Sequence, residues 1–313
     1  MRTRRTLASL AVVAVVVAAT TVALGAAKLP KPGTASRITK LVAASSAIER
    51  LPPKLLPPLD EVPGDSSGTY YGVAGRHCDG PTKCVFADTK SKRVIVLFGD
   101  SHAQMWLPAL VPVARAAGDR LSLVWMSGCP AATISVWDAG NHSIFTACDR
   151  WRASMIEAIH SLAPTLVLLA SRTSDIPGAD NEPTTNAAWQ AGLEKTIAAL
   201  KTPATKVAVI GDITVFSPHN DLAECLAAYP SSIQRCAVAN PNGKTRQHFA
   251  AEKAAAAAEG VPYFNPQRWL CTTTCSPVIG TMAAYYDSYH VSATYAEFLS
   301  GVWATALRPL LTP

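Results

Sequence analysis

Charge is sparse in this chain. Asp, Glu, Lys and Arg make up 16% of 313 residues, and no dense basic run with interleaved aromatics occurs, so nothing argues for nucleic-acid binding. Internal repeats are absent. The one biased tract, Ala254–Ala258, reads simply as good helix. No long apolar segment reads as a lipase-like lid. No second Cys/His pair complements Cys271-x-x-x-Cys275, which weakens a zinc reading. The longest uncharged run lies at the N-terminus.

What is present suits an exported protein. Arg2, Arg4 and Arg5 precede an Ala- and Val-rich stretch from Leu7 to Ala27. It is longer than the ~7–15 residues of a cleavable signal core and matches the ~20 of a spanning helix. Residues 1–27 are therefore read as a signal anchor or signal peptide, with an uncleaved anchor preferred. Gly25-Ala26-Ala27 keeps cleavage open. Either way the positive flank sends the remainder outside, tethered to the cell membrane or secreted. Without those three arginines the chain carries 25 basic and 22 acidic residues, close to balance.

Eight cysteines fall into sequence-local pairs: Cys78/Cys84, Cys129/Cys148, Cys225/Cys236 and Cys271/Cys275. An even count in clusters suggests disulfides formed in an oxidising compartment, with zinc as the rival. Residues 28–92 form a Pro-rich spacer and extension. Pro30 and Pro32 favour extended chain, Thr34–Arg50 has a helical pattern, and Pro52-Pro53 and Pro57-Pro58 stop it. Asp60–Lys92 reads as loop. A bare stalk and a segment packed on the following domain are both open on composition.

Residues 93–313 are organised around Val94-Ile95-Val96-Leu97-Phe98-Gly99-Asp100-Ser101-His102-Ala103. A short β-branched run reads as a buried strand, Gly99 breaks it, and a helical pattern begins at once. A serine there can attack a carbonyl while nearby N–H groups hold the oxyanion. It can equally be a capping serine. Near the C-terminus stands Tyr286-Asp287-Ser288-Tyr289-His290-Val291-Ser292. Its Asp and His can meet at one place, the carboxylate orienting the imidazole. An α/β-hydrolase elbow fits less well, because its Asp and His usually stand far apart in sequence.

Together the two blocks resemble the SGNH hydrolase superfamily, and Gly99-Asp100-Ser101-His102-Ala103 is most similar to the extracytoplasmic SGNH domains of bacterial membrane O-acyltransferases. Ser127-Gly128-Cys129-Pro130 and Cys271…Cys275-Ser276-Pro277-Val278 add to the resemblance, which spans roughly Leu41–Leu307. It implies Ser101 as nucleophile, His290 as base and then acid, and Asp287 as its orienting carboxylate. It also implies an oxyanion hole from the Ser101 N–H, Gly128 and a third donor. The superfamily has an Asn after the third strand, whereas this chain has Ser171-Arg172-Thr173-Ser174. Arg172, a Ser or Thr hydroxyl, or nothing takes that place. The resemblance also favours an extension packed on the catalytic domain.

The rest alternates strand and helix: strands at Leu121–Met126, Thr165–Ala170, Lys206–Gly211 and Val261–Phe264, helices at Asp149–Leu162, Thr184–Leu200 and Lys244–Glu259, and an irregular stretch at Asp212–Gly243 that holds Cys225 and Cys236. The expected fold is a three-layer, flavodoxin-like α/β arrangement, a five-stranded parallel sheet with helices on both faces, preceded by the membrane-anchor helix and Pro-rich extension. Ligands of such sheets bind at the C-terminal strand edge, where Ser101, Gly128, Ser171–Thr173, Asp212 and the Asp287–His290 loop can gather.

Three readings of function follow. One is acyl transfer or ester hydrolysis on a cell-envelope glycan through a Ser101 acyl-enzyme, with no metal or organic cofactor required. Its acyl groups would come from a multispan membrane donor protein. The others are a general secreted esterase and a non-catalytic partner of a membrane acyltransferase.

Overall fold

The computed structural model of the protein describes residues 31–75, 78–174, 176–216, 221–240 and 243–312, the last range without side chains for 243–247. The expected anchor helix at 1–27 lies outside them. Among the described residues no helix is long and apolar enough to cross a membrane.

The centre is a six-stranded mixed sheet. Its strands are β1 (Cys84–Ala87), β2 (Val94–Gly99), β3 (Arg120–Trp125), β4 (Leu166–Ala170), β5 (Lys206–Ile210) and β6 (Tyr263–Phe264), in the order β1-β3-β2-β4-β5-β6. From β3 to β6 every pairing is parallel, in the flavodoxin-like order. The expectation of five strands, all parallel, is corrected by β1, which runs antiparallel along β3. A strand of only four residues beside an edge carries too short an alternation to be separated from loop. The Cys78–Cys84 disulfide and a bridge from Cys78 to Trp125 fasten it there.

Both sheet faces are apolar, so the strands read as unbroken hydrophobic runs. Val94, Val96 and Phe98 of β2 face one layer; Ile95 and Leu97 face the other. The first layer contains α4 (Thr146–Leu162), α5 (Asn186–Leu200) and α6 (Gly243–Ala258). The second contains α1 (Ala35–Ser45), α3 (Leu107–Ala117), α7 (Ala293–Phe298) and α8 (Ser300–Leu311). Between β2 and α3 stands a single turn, α2 (Ser101–Gln104). The one helix expected after β2 is thus two. Pro108 lies in the first turn of α3, where its missing N–H costs nothing.

The stretch after β5 is less irregular than expected, and both of its cysteines are placed differently from the loop positions read for them. Cys225 lies in a short helix, Leu222–Ala228, capped by Asp221. Cys236 ends a 3-10 turn, Ile233–Cys236. Pieces of seven and four residues are too short to show a helical period, which is why the pattern reads as loop.

The extension packs on the second layer. Thr34 caps α1, and Ile38 and Val42 are buried. Gly33 N–H donates to the Phe298 carbonyl at 2.8 Å, and Arg37 lies over the Phe298 ring. From the same extension, Asp65 caps α7 at a distance. Its carbonyl accepts from Ala293 N and its carboxylate from Thr294 N. Burial pushes that carboxyl up to about 6, against the pull of the Thr294 hydrogen bonds.

All four cysteine pairs are disulfides, Cys225–Cys236 among them. Cys129–Cys148 ties the loop after β3 to α4, and Cys271–Cys275 closes a tight loop before the Asp287–His290 block. Cys225–Cys236 joins the short helix to the 3-10 turn, and the loop it closes is fastened to the extension. There Ile233 N–H donates to the Glu49 carbonyl at 2.9 Å, and Leu51 N–H to the Pro230 carbonyl at 2.8 Å. Among the described residues no cluster of His, Cys, Asp and Glu could hold a metal ion.

Close packing at the end of β2 makes a sharp test. A Cβ on Gly99 would run into the Ala170 carbonyl oxygen of β4, a backbone atom that cannot swing away. Gly99→Ala should destabilise the fold by about 3 kcal/mol, measured by urea denaturation. A midpoint unchanged from wild type would show that the two strand ends separate easily.

Candidate active site

Two strand ends and the loop before α7 build the site. At the end of β2, Asp100 is buried, and its side chain accepts from His102 N at 2.8 Å. The same carboxylate accepts from Arg172 N, beyond β4, at 3.0 and 3.1 Å. One side chain therefore fixes the Ser101 turn and the loop after β4 to each other. Burial pushes its carboxyl up to about 6, while the charge on His102 and these N–H groups act to lower it. Since α2 is one turn long, helix-dipole support for an anion is far smaller than a continuous helix would give. The N–H of Ser101 still stands in a first turn, where no intrahelical acceptor exists.

The second component follows β3. Met126 N–H donates to the Gly99 carbonyl at 3.2 Å, and Cys129 N–H returns to Met126 O. This tight turn holds Gly128 at φ 66°, a conformation glycine adopts freely. The turn begins beside the β2 end that carries Ser101.

The third component is the loop before α7. Tyr285 and Val291 bridge across its neck, and Ser292 caps α7. The Asp287 carboxylate accepts from Tyr289 N and His290 N, both at 2.7 Å, which shapes the loop around it. It also meets His290 Nδ1 at 2.8 Å. His290 Nε2 lies 2.8 Å from Ser101 Oγ. With Nδ1–H donated to the carboxylate, Nε2 is left to accept the serine proton. The Tyr286 ring stacks on His290, centroids 5.4 Å apart. Sequence reading named Ser101, Asp287 and His290, and the fold brings all three together.

Electrostatics suit a base. Burial lowers the pKa of His290, and the positive charges of His102 and Arg172 push the same way, outweighing the support from Asp287. Burial alone would raise Asp287, but the hydrogen bond and charge of His290 hold it below the usual carboxylate range. At neutral pH a carboxylate therefore faces a neutral imidazole.

Arg172 stands in the site. Its guanidinium lies 4.3 Å over the Tyr289 ring, and Nε donates to Ser174 O at 2.8 Å. Its main-chain N–H is occupied by Asp100, so only the side chain can reach toward a substrate. The Thr173 hydroxyl is committed to Asp212 and the Ser171 hydroxyl accepts from Ala131 N. In the sequence His102 adjoins Ser101 at a helix start and reads as a supporting or structural residue. The structure pairs it with Asp212, at the end of β5, 110 residues away. Asp212 had a faint signal, its place after a strand; Glu252, whose carboxyl accepts from Asp212 N, lies inside an Ala-rich helix and had none.

A family model described as the SGNH domain (fused to AT3 domains) matches residues 70–305, in agreement with this geometry. Among curated protein sequences, none matches the chain. The lipopolysaccharide acetyltransferase periplasmic domain of Salmonella ser. Paratyphi A is similar in structure. The match has a TM-score of 0.56 and 17% identity, and covers 71% of this chain and 86% of that one. A carbohydrate acetylesterase from Sinorhizobium meliloti matches at TM-score 0.45 and 15% identity, over 70% and 99% of the two chains. The M. smegmatis aryl esterase matches at TM-score 0.46 and 15% identity, again over 70% and 99%.

The geometry sets an expectation for a serine-reactive phosphonate. It should label Ser101 alone, and Ser101→Ala should abolish labelling without lowering thermal stability. His290→Ala should slow labelling by about 10²–10⁴-fold, with Asp287→Asn retaining a trace. Peptide mapping by mass spectrometry checks the position; labelling that survives Ser101→Ala excludes it as the nucleophile.

Proposed function

This chain belongs to the SGNH domain family, and we propose that it is an extracytoplasmic serine acyltransferase or acylesterase of cell-envelope glycans. The observation that carries the reading is the continuous line from Asp287 through His290 to Ser101 Oγ, with contacts of 2.8 Å at each step.

His290 Nε2 takes the proton of Ser101 as Oγ attacks the donor's acyl carbonyl. The tetrahedral oxyanion is held by the Ser101 N–H, the Gly128 turn and the Arg172 guanidinium, the last in place of the family's Asn. His290 then passes its proton to the leaving oxygen, and the acyl group stays on Ser101. A sugar hydroxyl, or water, gives its proton to His290 and attacks the acyl-enzyme. Collapse of the second intermediate returns the proton to Ser101 and releases acylated sugar or free acid. Asp287 stays ionised and keeps the imidazole in the required tautomer.

Two further points support a glycan at the cell surface. The family is described by its fusion to AT3 domains, which favours an acyl group delivered by a membrane acyltransferase. The uncharged run Leu7–Ala27, with its arginine flank, supports an N-terminal membrane tether with the domain outside.

The test follows one acyl group. The full chain in detergent, given a model acetyl ester and cell-wall oligosaccharide, should hydrolyse the ester slowly and divert acetyl to sugar, seen by mass spectrometry. Arg172→Ala should lower kcat by about 10²–10³-fold with little change in KM. Fast hydrolysis without acetylated sugar would make the protein an esterase. No turnover, with His290→Ala indistinguishable from wild type, would make it a non-catalytic partner.

A further inference from the structure

Behind His290 lies a second histidine–carboxylate pair that the reaction above does not use. His102 is 1% exposed and adjoins Ser101. Its Nδ1 lies 2.5 Å from Asp212 Oδ1. The Asp212 carboxylate is saturated with donors: Oδ1 also accepts from Ile213 N, and Oδ2 accepts from Thr173 N and the Thr173 hydroxyl. An anion held by that many donors is stable as an anion even when buried. Beneath it, the Asp212 N–H donates to Glu252 Oε2 at 3.0 Å. On the other side, His102 Nε2 has no hydrogen-bond acceptor among the described residues. The His290 ring stands against it, edge to face, with centroids 5.0 Å apart.

We propose that His102 is a positioning residue for His290: an imidazolium clamped by Asp212, whose charge keeps the neighbouring imidazole neutral and ready to accept the Ser101 proton in mildly acidic surroundings. The proposal rests on the reading of His290 as the base.

The surrounding charges are consistent with it. Burial alone would drive the proton off His102, but the charge and hydrogen bond of Asp212 outweigh it and raise the pKa. Burial would raise Asp212, yet His102 and the N–H donors hold it below its usual value. Burial, and then the Asp212 charge, push the Glu252 carboxyl beneath the pair well above its usual value. The other groups facing the two imidazoles are Asp100 after β2, Arg172 after β4, and Asp287, Tyr286 and Tyr289 of the loop. Arg172 adds to the effect of His102, and Asp287 opposes it. A base works deprotonated. A cation that lowers its pKa moves the acid limb of the rate profile to lower pH, and removing that cation moves the limb up.

The test uses the full chain in detergent, with fluorophosphonate labelling of Ser101 followed against pH. His102→Gln should move the acid limb up by about one pH unit, which is about tenfold slower labelling at a fixed pH on the limb. The plateau at alkaline pH should stay within about threefold. Asp212→Asn, which leaves the imidazole in place but discharges it, should move the limb in the same direction. A uniform loss at every pH with no movement of the limb marks a structural role and overturns the proposal. Imidazole nitrogen resonances of the wild-type chain give a second readout that needs no variant to fold and no reaction to occur. His102 should be protonated at pH 7.5 while His290 is neutral. Finding His102 neutral at that pH overturns the proposal too. If wild-type Ser101 resists the probe altogether, the acyl-enzyme reading fails, and the resonances still decide whether the His102 cation is present.

Discussion

The Asp100 carboxylate is the constraint on which the site depends. It is buried, and it accepts main-chain N–H groups from two different strand ends, His102 after β2 and Arg172 after β4. Main-chain donors cannot rotate away as side chains do, so this one group sets the spacing between the Ser101 turn and the loop that carries Arg172. Gly99, pressed against the Ala170 carbonyl, leaves no slack between the same strands. The arrangement is costly, because burial works against the charge that makes Asp100 a good acceptor. The cationic neighbour His102 offsets part of that cost. Position and electrostatics at Ser101 are therefore one problem with one solution, written in consecutive residues from Gly99 to His102.

Much of this was legible in the sequence, because short-range pattern carried it. Val94–Phe98 ends in Gly99, so strand, break and serine announce themselves within a few positions. Asp287 and His290 stand three apart on one loop, and their partnership needs no knowledge of the fold. The cysteine pairs were readable for the same reason, each closing a local loop. The helical pieces that carry Cys225 and Cys236 were not, since neither is long enough to show a period. What else stayed hidden depends on tertiary placement. The antiparallel edge strand β1 is equally short, and only its register on β3 defines it. The break between α2 and α3 follows from Pro108, which the apolar pattern overrode. Asp212 meets His102 only because β5 and β2 end on the same edge, and no spacing in the chain encodes that contact.

The Pro-rich extension illustrates how a segment outside the sheet contributes to the site. Asp65 caps α7, the helix that begins directly after the Asp287–His290 loop, and Gly33 donates to the carbonyl at the end of that helix. A helix this short gains little from its own ladder, so external caps matter to it more than to a long one. The loop is then held from both sides, by the Tyr285–Val291 bridge within and by the extension beyond α7.

The bond between Ser101 and His290 joins residues 189 apart, with four of the sheet's six strands in between. The segment that follows His290 also supplies core side chains, Tyr295, Phe298 and Trp303 among them, so the histidine and the last part of the core arrive together. A chain cut before residue 290 would lose the Ser101–His290 contact and this core packing at once. That one contact is therefore the mark of a finished fold.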